Sequence, residues 1–421
     1  MTVASLDGTC PNCGGLTPRI FHSIAGVPVN SCLLFNDRQR ARDLECGNID
    51  LAFCSDCNFI YNAQWKPEQT TYSEQYEETQ QFSETFANYQ REQVQELLDR
   101  YSIFGKEIVE IGCGKGEFLS LLCELGSNRG VGYDPSFVPA RKGADHSGAE
   151  FKREFFTAET KQRAPHLVCC KMTLEHISQT RAFVGAIRRI ASPERGTIVC
   201  IQVPDVRRIL AEAAFWDVYY EHCSYFSPLS LQHVLRHAGF DILRTATSFG
   251  DQYLTIEARA VQPDSRSLDA ALEAQTQNLA GAVAAYDDAV SRSVARWSHL
   301  VRSTAASGGR TVLWGSGSKA VAFLAAVKAE AEIEYLVDVN PYRWGKFVPG
   351  SGKQIMPPEF LSQYQPDLVI AMNPIYAQEI SAALRDVGCR KAILHCLEGE
   401  SLKSSTGGHT ERGLYSTTSA I

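Results

Sequence analysis

No stretch of this 421-residue sequence approaches the ~18 consecutive apolar residues that a membrane-spanning helix needs. The first twenty residues also lack the apolar core of a secretory leader. Basic charge is scarce relative to acidic: 41 Lys and Arg against 48 Asp and Glu leave a formal charge of −7. That balance argues against a chain that coats nucleic acid or an anionic membrane, because both need clustered cations. No repeat is visible in the sequence. Hydrophobic residues at 44% and charged residues at 21% fit neither a disordered nor a fibrous chain. These exclusions leave the expectation of a soluble, cytoplasmic enzyme long enough for two or three domains. Its expected partner is a small molecule, and the chain is expected to be a monomer.

Cysteine, by contrast, is abundant, with fourteen in the chain. In a chain without a leader they read as thiols or metal ligands rather than disulfides. Four of them form two pairs, Cys10-Pro-Asn-Cys13 and Cys54-Ser-Asp-Cys57, which can close a tetrahedron of thiolates around zinc. A closed four-cysteine shell leaves no open position for chemistry, so the expected role is structural. Cys32 and Cys46 lie between the pairs; each reads as a plain buried thiol, with a competing ligand role as the alternative. A redox role for one pair is the other reading, weakened because neither sits at the strand-to-helix junction of a thioredoxin-like unit. The rest of the first sixty residues carries turn residues and little helical periodicity, which predicts a loop-rich module too small for a core of its own.

The texture changes from Glu78, and apolar residues at three- and four-residue steps predict a helix over Gln80–Tyr101. Strand candidates follow at Glu107–Gly112, Val131–Asp134, His166–Cys170 and Gly196–Ile201, with helical segments such as Glu117–Leu125 between them. That alternation describes an α/β fold with a mainly parallel sheet. An Ala-rich, charged stretch from Ser265 to Ser303 reads as one or two long helices. A second α/β pattern then runs through Arg310–Gly315, Glu334–Asp338 and Asp367–Ala371.

Glu110-Ile-Gly112-Cys-Gly114-Lys-Gly116 leaves the first strand and opens a helix. Glycines at alternate positions let backbone approach a ligand closely, and Asp134, closing the next strand, can take both hydroxyls of a ribose. The spacing differs from the Gly-x-Gly-x-x-Gly of dinucleotide sites and is similar to motif I of class I methyltransferases, whose cofactor is S-adenosylmethionine (SAM). The expected cofactor residues are Glu110, Gly112, Gly114, Gly116 and Asp134.

Two segments concentrate groups able to move protons: Leu174-Glu175-His176-Ile177, at the carboxyl edge of the sheet, and Tyr219-Tyr-Glu221-His222-Cys-Ser-Tyr-Phe-Ser227. With the knuckles, the glycine loop and the C-terminal Val337-Asp338-Val-Asn340-Pro341 and Gly345-Lys-Phe-Val-Pro349-Gly350, the chain resembles the sugar C-methyltransferases of natural-product deoxysugar biosynthesis. The resemblance implies a class I methyltransferase Rossmann-like core with an N-terminal zinc-binding module and a second Rossmann-like C-terminal domain. The expected boundaries are 1–70 for the zinc module, 71–264 for the core, 265–305 for a helical linker, 306–402 for the C-terminal domain and 403–421 for a flexible tail. It also implies catalytic roles for His222, Tyr219, Glu221, His176 and Tyr76. The implied reaction methylates the carbon next to the ketone of a nucleotide-linked 4-keto-deoxysugar, with His222 as base and no catalytic metal. Where many members carry Gly-Gly-Ser-(Leu)-Arg, this chain has Phe249-Gly-Asp-Gln-Tyr-Leu-Thr-Ile256. A methyltransferase of another small metabolite on the same frame is therefore the alternative.

A second loop, Gly315-Ser-Gly317-Ser-Lys319-Ala320, follows a strand, and Asp338 ends the next one. Alone this is a passable dinucleotide fingerprint, so an NAD site is one reading. The resemblance implies instead that Gly315, Gly317 and Lys319 hold the substrate's nucleotide end, with Lys319 near the diphosphate. A purely structural domain is the third reading.

Overall fold

The structure, a computed structural model, describes residues 8–16, 18–139, 148–262 and 272–398, except the side chains of 272–278 and 330. The expected tail 403–421 and the first residues of the expected linker, 265–271, lie outside the described residues. The chain opens with β1 (Pro18–Pro28), α1 (Arg38–Arg42), β2 (Cys46–Cys54) and β3 (Phe59–Asn62). Next come α2 (Glu84–Tyr101), β4 (Glu107–Ile111), α3 (Glu117–Gly126), β5 (Arg129–Tyr133), β6 (Ala149–Lys152), β7 (Leu167–Lys171), α4 (Thr180–Ile190) and β8 (Ile198–Pro204). α5 (Val206–Ala211), β9 (Ser224–Tyr225), α6 (Pro228–His237), β10 (Phe240–Ser248) and β11 (Tyr253–Ala260) complete this region, and the 35-residue α7 (Leu272–Ala306) follows. The remainder is β12 (Thr311–Trp314), α8 (Ser318–Val327), β13 (Ile333–Val337), β14 (Gln354–Met356), α9 (Leu361–Tyr364), β15 (Leu368–Ala371), α10 (Ala377–Asp386) and β16 (Ile393–Cys396).

Two compact units result: Met1–Ala25, Gly47–Arg207 and Tyr220–Val283 form one, and Gly26–Cys46, Arg208–Tyr219 and Ala284–Ile421 the other. The first unit holds a seven-stranded sheet in the order β10-β11-β8-β7-β4-β5-β6. β4, β5, β6, β7 and β8 run parallel, whereas β11 is antiparallel to both β8 and β10. The central strands read as near-continuous apolar runs, Ile-Val-Cys-Ile in β8 for example, because layers cover both faces. On one face Val94, Leu97 and Leu98 of α2 pack with Phe118, Leu119 and Leu122 of α3. The chain order reverses between β4 and β7, so their carboxyl ends flank the crevice where open α/β sheets take ligands.

α2 begins at Glu84, four residues later than periodicity predicts, because Ser83 Oγ accepts from Phe86 N and fixes the start there. The N-terminal segment also differs from the loop-rich expectation. β1, β2 and β3 form a sheet completed by β9, in the order β1-β2-β3-β9. The second unit carries a five-stranded, fully parallel sheet in the order β14-β13-β12-β15-β16. Among the described residues no helix is long and apolar enough to cross a membrane.

Candidate active site and metal centre

The glycine loop is built for close approach. Gly112, Gly114 and Gly116 all have left-handed backbone, with φ of 72°, 54° and 89°. A Cβ at Gly112 would overlap Thr173 Oγ1, one at Gly114 would lie 2.7 Å from Glu78 Oε1, and one at Gly116 2.6 Å from the Phe151 ring. Asp134 braces the loop: Oδ2 accepts from Gly114 N at 2.9 Å, and Oδ1 accepts from Ser136 N and Oγ at 2.7 Å each. Glu110 is buried on β4, and its Oε2 has no hydrogen-bond partner. Burial pushes this carboxyl up to about 8, with the nearby Lys171 ammonium pulling the other way. An orphaned acidic oxygen beside a cradle only glycine can line fits a cofactor that brings its own cation and hydroxyls, as SAM does.

Lys115, within the same loop, is one residue that sequence reasoning passed over. Its side chain turns inward and is almost fully buried. There Nζ donates to Tyr76 O at 2.7 Å and Ser136 O at 2.8 Å, and pairs with Glu78 at 3.4 Å. A buried ammonium is tolerated only when so satisfied. The loop is thereby tied to the segment before α2, where the Tyr76 ring packs on Tyr72 at 5.2 Å. The Tyr72 hydroxyl in turn lies 2.9 Å from His176 Nδ1.

That chain of contacts ends in a buried polar cluster. His176 sits on a single 3-10 turn, Leu174–His176, just past β7. Its ring meets the His222 ring edge to face with centroids 4.8 Å apart, and its Nδ1 is 3.1 Å from Glu221 O. Desolvation holds His176 down to about 4 and Tyr72 well above the usual phenol range, so both are neutral at physiological pH. Glu175, His176 and His222 each place a donor atom within 4.8 Å of the others. Glu175 is 1% exposed, neither of its carboxyl oxygens has a hydrogen-bond partner among the described residues, and burial pushes it up to about 8.

Of the expected catalytic residues, the first unit therefore gathers His176, His222 and Glu221, the last through its backbone oxygen, with Tyr76 one ring removed. Tyr219 falls in the second unit as the half-buried last residue of its segment Arg208–Tyr219. Its neighbour Tyr220 is a structural post: it is fully buried against Gly47, and its hydroxyl accepts from Lys66 N and donates to Gln69 Oε1. Tyr72 and Glu175 are the contacts that sequence reasoning left out. A Tyr72/Tyr76 pair at four-residue spacing was the available signal for the first, and the Glu175-His176 dipeptide for the second.

Cys10, Cys13, Cys54 and Cys57 converge on one point, with Sγ–Sγ separations of 3.8 Å for Cys10–Cys57 and 3.7 Å for Cys13–Cys54. A tetrahedral zinc with bonds of about 2.3 Å requires sulfurs about 3.8 Å apart. The geometry and the all-thiolate donor set thus fit the metal. Cys32 is not part of this group, its Sγ lying 3.3 Å from Ser318 Oγ, and Cys46 is exposed. The knuckles join the main core, since Cys10, Cys54, Cys57 and Phe59 pack in one cluster with Val168, Val199 and Phe226.

In the second unit the turn at Gly315 and Gly317 closes on itself. Asp338 Oδ2 accepts from Ser316 N at 2.9 Å and Ser316 Oγ at 2.6 Å, and Arg343 Nη1 donates to Ser316 Oγ at 3.2 Å. Lys319 is ion-paired with Asp217, which also pairs with Arg208 at 2.5 Å.

Both α/β regions of the chain are similar to known proteins. A family described as a methyltransferase domain matches residues 86–245, and one described as a C-methyltransferase C-terminal domain matches residues 252–394. The C-methyltransferase NovU of Streptomyces niveus is 28% identical over 292 residues, 66% of this chain and 68% of NovU. Among solved structures, the 1,6-didemethyltoxoflavin-N1-methyltransferase of Burkholderia thailandensis, with S-adenosylhomocysteine bound, matches 42% of this chain and 82% of its own at 16% identity, TM-score 0.34. The magnesium protoporphyrin IX methyltransferase of Synechocystis PCC 6803 matches 42% and 84% at 15% identity, TM-score 0.34. The two matches lie in chain order, a methyltransferase domain ahead of a C-methyltransferase C-terminal domain, and with NovU they support a SAM-dependent C-methyltransferase.

Proposed function

We propose that the acceptor carbon is the one next to the ketone of a nucleotide-linked 4-keto-deoxysugar, and that His222 removes its proton. The observation that carries this reading is the His176–His222 pair, His222 buried and His176 half-buried, tied through Tyr72, Tyr76 and Lys115 to the cofactor loop. SAM, when bound by Glu110, the Gly112–Gly116 loop and Asp134, supplies an electrophilic methyl group. The residues of the chain do the rest. A ketone acidifies the neighbouring C–H, so a neutral imidazole suffices as base. The electron pair of that C–H bond is delocalised onto the ketone oxygen. Neutral His176 and the Tyr72 hydroxyl can donate to that oxygen, with Glu221 and Tyr76 shaping the pocket. Tyr219 is assigned on the sequence motif alone.

For the nucleotide end, Gly315, Gly317 and Lys319 stay the proposal from the motif, and Lys319 reaches a diphosphate only by giving up Asp217. Cys10, Cys13, Cys54 and Cys57 are assigned to one structural zinc. A second reading, another small acceptor, is favoured by one feature. Where many relatives have glycines, Phe249, Gly250 and Asp251 are three consecutive left-handed residues, and Phe249 stacks on Tyr253 at 5.2 Å and contacts Tyr89 at 4.7 Å. The test is solvent-deuterium exchange into a panel of nucleotide 4-keto sugars without SAM. Exchange that His222→Asn abolishes supports the first reading, and methylation of some other acceptor with no exchange into any of these sugars supports the second.

A further inference from the structure

Glu175 stands out among the groups the proposed chemistry leaves unused. It lies on the turn that carries His176, is 1% exposed, and offers two carboxyl oxygens that no described group satisfies. A buried carboxyl without a hydrogen bond is expensive, and a protein gains nothing in stability by keeping one. The two basic nitrogens nearest it belong to His176 and His222, within 4.8 Å. His176 Nδ1 is already engaged by Tyr72 and by Glu221 O. Glu221, adjacent to His222 in sequence, offers its backbone oxygen to His176.

We propose that Glu175 is the positioning residue of the base: its carboxylate accepts a hydrogen bond from a ring N–H of His222 and stabilises the imidazolium that forms when His222 takes the substrate's proton. This rests on His222 acting as the base. The balance is simple. The C–H bond breaks, its electrons stay with the enolate, the proton goes to one ring nitrogen of His222, and Glu175 holds the opposite N–H without itself gaining a proton. His222 returns the proton to solvent after turnover.

The arrangement makes turnover depend on the ionisation of Glu175. Its other neighbours do not titrate in the same range. Burial pushes Cys223 up to about 12 and Cys170 well above the thiol range, Tyr72 is likewise raised by burial, and His176 is neutral above about 4. Glu221 and Asp134 contribute negative charge near Tyr72 and favour the protonated form of whatever acid they face. Activity should therefore climb with pH through about 8, where Glu175 loses its proton.

The experiment compares full-length wild type, Glu175→Gln, Glu175→Asp and His222→Asn. It follows deuterium exchange into a nucleotide 4-keto sugar from pH 6 to 9.5, SAM affinity by calorimetry, and thermal melting. Glu175→Gln should lower exchange about 100-fold, flatten the ascending limb, leave SAM affinity within about twofold, and melt no lower than wild type at pH 9. Glu175→Asp should keep a limb, shifted in pH. Exchange in Glu175→Gln within a few-fold of wild type and with the same pH limb overturns the proposal. So does Glu175→Asp with an unshifted limb, should the Gln variant fail to fold. Persistent exchange in His222→Asn is a separate result, which removes the base assignment itself.

Discussion

Ser224, two residues past His222, pairs across the sheet with Tyr61, four residues past the knuckle cysteine Cys57. The short β9 that carries Ser224 and Tyr225 is thus the last strand of the sheet into which the cysteines are built. Asn12, between Cys10 and Cys13, donates to Ser230 O at 3.0 Å and so pins the start of α6, which Ser227 caps. The cysteine cluster therefore holds the chain just past the base at two points, β9 and the start of α6.

Removing one ligand should accordingly disable a reaction in which zinc takes no part. Cys54→Ser is expected to reduce zinc from about one per chain to near zero, lower the melting temperature by several degrees or more, and cut turnover at least tenfold. Elemental analysis, thermal scanning and methyl-transfer rate read the three effects. Normal turnover in a zinc-free chain would show that β9 keeps its place without the metal.

Tyr72 makes the second prediction. Its hydroxyl contacts His176 Nδ1, and Tyr72→Phe deletes that contact while keeping the ring stack on Tyr76. Turnover should fall about 10- to 100-fold, with SAM affinity unchanged by calorimetry. A fall in SAM affinity with turnover intact would instead assign Tyr72 to the cofactor pocket.

How far the sequence disclosed this site follows from what each residue's neighbours are. The glycine loop was legible because only a left-handed, side-chain-free backbone fits there, and such a constraint writes itself into consecutive positions. The knuckles were legible because a four-thiolate metal site takes its ligands as closely spaced cysteine pairs. β2 and β3 were not, since their short apolar runs sit among Gly47, Asn48 and Asn58, which read as loop. The roles of Lys115, Tyr72 and Glu175 depend on partners 21 to 104 residues away, and no local pattern encodes such distances. The motif Gly-x-Gly at Gly315 was equally visible, yet only the structure shows Asp338 closing on Ser316.

Gly112→Ala tests the cradle itself. The new Cβ would overlap Thr173 Oγ1 and force an alanine to hold φ near 72°, a conformation that costs about 1–2 kcal/mol before any clash. Thr173 is two residues from Glu175, so the displaced threonine disturbs both the cofactor loop and the polar cluster. SAM affinity should fall by at least about tenfold, and equilibrium dialysis or calorimetry would show it. Affinity equal to wild type would mean that the loop lies outside the cofactor site.

The buried carboxyls also set the pH at which the fold is most stable. Glu78, Glu110 and Glu175 are each pushed up to about 8 by burial, whereas an unfolded chain releases those protons near 4.5. The native state therefore binds more protons between these values. The stabilisation is complete below about 4.5 and lost as pH rises through about 8. His176 has the opposite sign: desolvation holds it down to about 4 from 6.5, so its contribution is complete above 6.5 and lost as pH falls through 4. Lys171, lowered to about 8 by burial, changes protonation little below pH 7. Melting temperature should accordingly peak between about pH 4 and 5 and decline toward pH 8. Glu110→Gln removes one of the three carboxyls and should make that decline shallower, melting above wild type at pH 9. An unchanged slope in thermal scans would place the Glu110 carboxyl in contact with water or a cation that relieves its burial.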